Sequence, residues 1–167
     1  MKNKKNISIS LLSEIADAEH LAVNCFGHLS RLIKNGKIKV IFEEFEQKSE
    51  QNKQLILKTL IANGVNDFCN ETPCKFCKIN AESFSLFGAT QVGLEIVGIL
   101  INLYKKALNF AETETEKQVF QEILKDKIKQ HSTLKKENMI IKTRENSLKN
   151  LGIFGTHCIS NVMNRFK

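Results

Sequence analysis

The chain has a single proline in 167 residues, at position 73. It also has almost no run in which β-branched and polar residues alternate. Proline interrupts helices and alternation marks half-buried strands, so the scarcity of both leaves long helices as the expected structure. No export signal is expected either. The basic segment Met1–Asn6 leads into a short mixed stretch, and Glu14 and Asp17 then end any hydrophobic run. A signal peptide needs a longer apolar core, so the expected location is cytoplasmic. The most apolar window, Phe84–Tyr104, is broken by Gln91, Glu95 and Asn102 and by Gly88, Gly93 and Gly98. It is expected to be a buried bundle helix and not a membrane span. Finally, no aromatic residues interleave with a basic cluster, as a stacking platform for single-stranded nucleic acid requires.

What is present fits one globular domain with a proper core: 42% of residues are hydrophobic and 26% charged. The net charge of +7 comes mainly from lysine. It reads either as a solvated lysine-coated exterior or as a surface for nucleic acid or an anionic membrane. Periodicity and turn residues predict four helices. The first starts near Ser8 or Ser10 and stops at Asn35-Gly36, and the second runs from Lys37 to Ala62, closed by Asn63-Gly64. The third spans roughly Ala81 to Ala111. Thr113 and Glu116 form a capping box that opens the fourth, which runs to about Ile140 or further. Helices one and two, and three and four, are joined by tight turns, whereas irregular residues from Gly64 to Ile79 separate two from three.

The sharpest feature lies in helix one. Leu12, Ile15, Glu19, Ala22, Phe26, Leu29 and Ile33 recur at three- and four-residue spacing and so share one face. An unpaired carboxylate in such a stripe costs several kcal/mol, so Glu19 needs a partner or a metal.

From Glu19 the helix reads Glu-His-Leu-Ala-Val-Asn-Cys-Phe-Gly-His-Leu. This resembles the first helix of rubrerythrin-type ferritin-like proteins, in which a metal-binding Glu precedes an aromatic residue by seven, here Glu19 and Phe26. Ile41-Phe42-Glu43-Glu44-Phe45 is similar to that family's second helix. The resemblance covers roughly residues 8–140 and implies an all-α, ferritin-like four-helix bundle with a long crossover between helices two and three. It also implies two irons held by one Glu from each of two helices and a Glu-x-x-His from each of the others. No Glu-x-x-His occurs in this chain. In the implied register Ser49 and Asn52 replace the pair on helix two. Val97, seven residues before Tyr104, replaces the Glu of helix three. Ile128 and His131 take the positions on helix four. Only Glu19 and His131 remain of the ligand set, as a vestigial di-iron site. They are expected to form a buried hydrogen bond or ion pair, through Asn52 and Ser49, or else a weak mononuclear metal site. His20 and His28 fall on the polar side and are expected to be solvated.

Cys69, Cys74 and Cys77 sit in the crossover as Cys-Asn-Glu-Thr-Pro-Cys-Lys-Phe-Cys. Such a loop can hold free thiols or a structural disulfide, bind zinc, or cycle as a redox pair. Cys25 reads as a small apolar filler at the edge of helix one. After the bundle, taken as residues 1–140, comes a basic tail at 141–167. Its Leu151-Gly-Ile-Phe-Gly segment reads as a hinge. Cys158, Ile159, Val162, Met163 and Phe166 can form one face of a short tail helix. That helix would pack on the bundle end or dock on a partner, a second subunit or a membrane surface.

Three functional readings follow. The favoured one is a bundle that has lost its di-iron chemistry and serves as a binding or assembly module, without a cofactor. Its partners would be a second copy through the helix faces or another protein through the tail. The second is a metal-dependent oxidoreductase acting on iron, oxygen or peroxide through Glu19, His131 and the Cys69–Cys77 loop, with iron or zinc bound. The third is a basic nucleic-acid-associated protein.

Overall fold

The computed structural model describes residues 2–65 and 85–150, with side chains at 9–65 and 85–148. They form four helices: α1 (Lys2–Leu32), α2 (Gly36–Ala62), α3 (Leu86–Phe110) and α4 (Glu114–Asn150). Among the described residues there is no strand.

Local chemistry accounts for the ends. Asn35 caps α2 by accepting the Ile38 amide at 3.1 Å, and Ser85 caps α3 by accepting that of Gly88 at 2.9 Å. The Thr113–Glu116 box forms as expected. The Glu116 amide donates to Thr113 Oγ1 at 3.1 Å, and the Thr113 amide donates to Glu116 Oε2 at 3.1 Å. Asn63 closes α2, and Gly64 follows at φ 82°, a left-handed conformation that favours glycine. One helix end differs from expectation: α1 starts earlier, at Lys2. Helix α4, expected to reach about Ile140 or further, continues through 141–150 and carries Ile141 into the core. The boundary expected at residue 140 therefore falls inside a helix. The crossover at 66–84 and the tail from 151 onward, with its hinge and amphipathic segment, lie outside the described residues.

Cross-helix pairs fix the directions. Phe26 meets Phe45 while Glu19 meets Asn52, so α1 and α2 are antiparallel. Lys37 pairs with Glu137 and Lys48 with Asp126, so α2 and α4 are antiparallel too. Asn138 bonds Thr90 while Tyr104 packs near Phe120, giving the same relation for α3 and α4. Hence α2 and α3 run parallel, and α2 ends at the opposite end of the bundle from the start of α3. The order is up, down, down, up.

The core is largely aliphatic, with an aromatic layer towards the α1–α2 turn. The ring of Phe26 stacks on Phe42 and meets Phe45 edge-on, each at 5.7 Å between centroids. Gly93 lets α3 approach this layer. A Cβ there would lie 2.9 Å from Phe42 Cε1 and 3.0 Å from Leu134 Cδ1. Helix α3 is long and apolar enough to cross a membrane by composition, with mean hydropathy 1.6. In this fold it buries Ile96, Val97, Leu100, Leu103 and Tyr104 against its neighbours.

Candidate functional site

All seven residues of the helix-one stripe are buried, so Glu19 sits at the bottom of the core with 0% exposure. Its carboxylate is fully engaged. Oε1 accepts from the Asn52 amide at 3.1 Å and from the Tyr104 hydroxyl at 2.9 Å. Oε2 accepts from the Lys127 ammonium at 2.8 Å. Lys127 is itself 0% exposed and donates a second bond to Ser49 Oγ at 3.1 Å. One group from α1, two from α2, one from α3 and one from α4 thus converge on a single buried ion pair.

The electrostatics follow from that burial. Removal from water pulls the Lys127 amine below its ordinary range, and the charge and hydrogen bond of Glu19 oppose this. The Tyr104 phenol is pushed well above its ordinary range, first by burial and then by the adjacent Glu19 carboxylate. The arrangement is one of mutual compensation. A buried acid has a buried base, and neutral polar groups add to both: Asn52 and Tyr104 donate to Glu19, and Ser49 accepts from Lys127.

The expected partner of Glu19 was His131. The structure gives Lys127 instead, and the error is one of register on α4. The buried face carries Phe120, Ile123, Lys127, Gln130, Leu134 and Ile141, whereas Ile128 is 47% exposed. Lys127 and Gln130 therefore hold the inward i, i+3 positions assigned above to Ile128 and His131. His131 is half-buried and absent from the contacts of Glu19. The signal for Lys127 was legible: it lies four residues after Ile123 and seven before Leu134, on an apolar stripe.

On α2 the register holds. Ser49 is buried and Asn52 half-buried, both turned to the centre, while Glu50 pairs with Lys53 at 2.7 Å away from it. Val97 is buried and Glu95 exposed, as the pattern of α3 requires. Gln130 is 4% exposed, and neither atom of its amide has a hydrogen-bond partner. His20 and His28 are half-buried, not solvated, and His20 meets Asn24 at 3.1 Å.

Among the described residues no group of three or more His, Cys, Asp or Glu side chains is placed to hold a metal. The donor set fits a di-iron pair poorly: one carboxylate, two hydroxyls, two carboxamides and an ammonium, whose charge repels cations. Cys69, Cys74 and Cys77 lie outside the described residues. Cys25 is a half-cystine and not a mere apolar filler, and its partner also lies outside them.

Compared with protein-family models, curated proteins and solved structures, the chain matches none of them.

Proposed function

We propose that this chain is a ferritin-like bundle whose metal centre has been replaced by an internal salt bridge, and that it works as a binding or assembly module and not as an iron enzyme. The observation that carries this reading is Lys127. Its ammonium lies 2.8 Å from the one carboxylate at the centre of the bundle and supplies the positive charge that a metal would otherwise bring.

Three features support the ferritin-like part. The helices run up, down, down, up, as in bundles built from two hairpins and a crossover. The inward faces of α2 and α4 each carry a polar pair at i, i+3 level with Glu19, Ser49/Asn52 and Lys127/Gln130. Helices α1 and α3 also echo each other. Phe26 follows Glu19 by seven residues and Tyr104 follows Val97 by seven, and the hydroxyl of Tyr104 reaches Glu19. With α1 and α3 antiparallel, the same offset sets Phe26 opposite Val97. One half of this pseudo-symmetric arrangement keeps carboxylate and hydroxyl together, and the other half lacks both.

The test is metal analysis by mass spectrometry on the full chain, expressed with added iron. The natural chain should carry no stoichiometric iron. A variant with Ser49→Glu, Asn52→His, Val97→Glu, Lys127→Glu and Gln130→His should bind about two irons per chain if the ancestry is right. Two irons in the natural chain would overturn the lost-centre reading. A folded variant that binds no iron would overturn the ferritin-like assignment.

A further inference from the structure

At the end of the bundle where α2 and α3 begin, α4 is longer than its neighbours. Glu137 lies level with Lys37 at the first turn of α2, and Asn138 level with the first turns of α3. The turns of α4 from Thr143 onward therefore pass beyond the starts of both helices. This overhang leaves a cavity of about 550 Å³, within the range of small-molecule sites.

Its lining has two characters. Ile38, Leu86, Ile140, Ile141 and Leu148 supply apolar walls from three helices. The charged lining is Lys37, Glu137 and Arg144. Lys37 and Glu137 neutralise one another at 2.7 Å, whereas Arg144 is exposed and in no ion pair among the described residues. Glu137, Ile140, Ile141, Arg144 and Leu148 recur at three- and four-residue spacing, so the guanidinium stands on the same face of α4 as the apolar wall. The nearby hydroxyls of Thr143 and Ser147 donate back to their own helix at 2.9 and 3.0 Å, so their oxygens remain available to accept. The cavity thus has an apolar body with one uncompensated positive charge at its edge.

We propose that this cavity binds an amphiphilic carboxylate, with its alkyl chain against Ile38, Leu86 and Ile140 and its head on Arg144. Planar two-point recognition of a carboxylate is what a guanidinium does best. Cationic amphiphiles are disfavoured by the same unpaired charge. The chain's own residues 151–167 are a poor electrostatic match, since they carry Arg165 and Lys167 and no acidic side chain. This gives the binding role proposed above a ligand class, and its readout does not involve the Glu19–Lys127 centre, so either can fail alone.

The experiment is calorimetric titration of the full chain with dodecanoate and, separately, with dodecyltrimethylammonium. Saturable binding of dodecanoate at one site per chain is expected, with the cationic analogue much weaker. Arg144→Gln alters an exposed residue and should keep the helical circular dichroism of the natural chain. It should weaken dodecanoate by about tenfold or more, the loss of a charged hydrogen bond. Ile140→Gln should weaken both probes. The proposal is overturned if the natural chain shows no saturable binding. It is equally overturned if the cationic probe binds as tightly as dodecanoate, or if Arg144→Gln leaves dodecanoate affinity unchanged.

Discussion

Replacing Lys127 by methionine tests most directly what holds the centre together. Methionine keeps much of the length and apolar bulk of lysine, so the core stays filled while the ammonium is deleted. The substitution removes the 2.8 Å bond to Glu19 Oε2 and the 3.1 Å bond to Ser49. Glu19 keeps Asn52 and Tyr104 but becomes a fully buried carboxylate with no counter-charge. Breaking a buried pair from one side in this way costs about 3–5 kcal/mol. For a chain of 167 residues each kcal/mol lowers Tm by about 2–4 °C, so the variant should melt about 6–20 °C below the natural chain at neutral pH. The double variant Glu19→Leu/Lys127→Met removes both charges. Ser49 loses Lys127 in both variants, and half-buried Asn52 can turn to water, so the added loss is that of the buried Tyr104 hydroxyl, about 1–3 kcal/mol for one unsatisfied group. It should therefore be more stable than Lys127→Met alone, and the double-mutant cycle should show a large coupling between the two sites. Thermal and urea unfolding of the four proteins measure this. A Lys127→Met variant within about 1 kcal/mol of the natural chain, or a double variant no more stable than the single, would refute the picture of a mutually dependent buried pair.

Tyr104 is the only tyrosine and the chain has no tryptophan, so its absorbance and fluorescence report the centre without interference. Its folded-state pKa is raised, so above the ordinary tyrosine range the native state holds a proton that the unfolded state has released, and stability falls as pH rises. The tyrosinate absorbance should appear only at higher pH in native than in urea-unfolded protein, and Tyr104→Phe should lose less stability than the natural chain in that range. Coincident native and unfolded titrations would contradict the buried Glu19 contact. Lys127 acts with the opposite sign. Its folded pKa is lowered, so the unfolded state binds more protons below the ordinary lysine value, and this contribution makes stability rise towards it. In a separate experiment, Gln130→Leu should be neutral or stabilising by about 1 kcal/mol, because it deletes a buried amide with no partner. A loss of more than that in urea unfolding would reveal a hydrogen bond for Gln130 that the structure does not contain.

Much of the architecture was legible because it depends on local rules. The Thr113–Glu116 box, the Asn63-Gly64 stop and the seven-residue stripe of α1 are all set by interactions within a few turns of helix. The burial of Glu19 was equally plain, since a polar residue in an apolar stripe is a property of spacing alone. Its contact with Asn52 followed from the inward stripe of α2. The failure lay on α4, where the register carried over from the family resemblance pointed to His131. The spacing of Lys127 from Ile123 and Leu134 sets it, and not His131, on the buried face. A lysine also counts by habit as a surface residue, and this helix carries many that are.

The sequence alone determined the four helices of the described residues, where most of them end, and which face of α1 is buried, because each follows from the chemistry of near neighbours. Only the tertiary structure decided that Lys127 meets Glu19, residues 108 positions apart along the chain. It alone decided that α2 and α3 run parallel, and that the overhang of α4 opens a cavity beside Arg144. Those outcomes depend on how four helices align with one another along the bundle. A shift of one residue on a helix turns a side chain by about 100° and exchanges a buried partner for an exposed one.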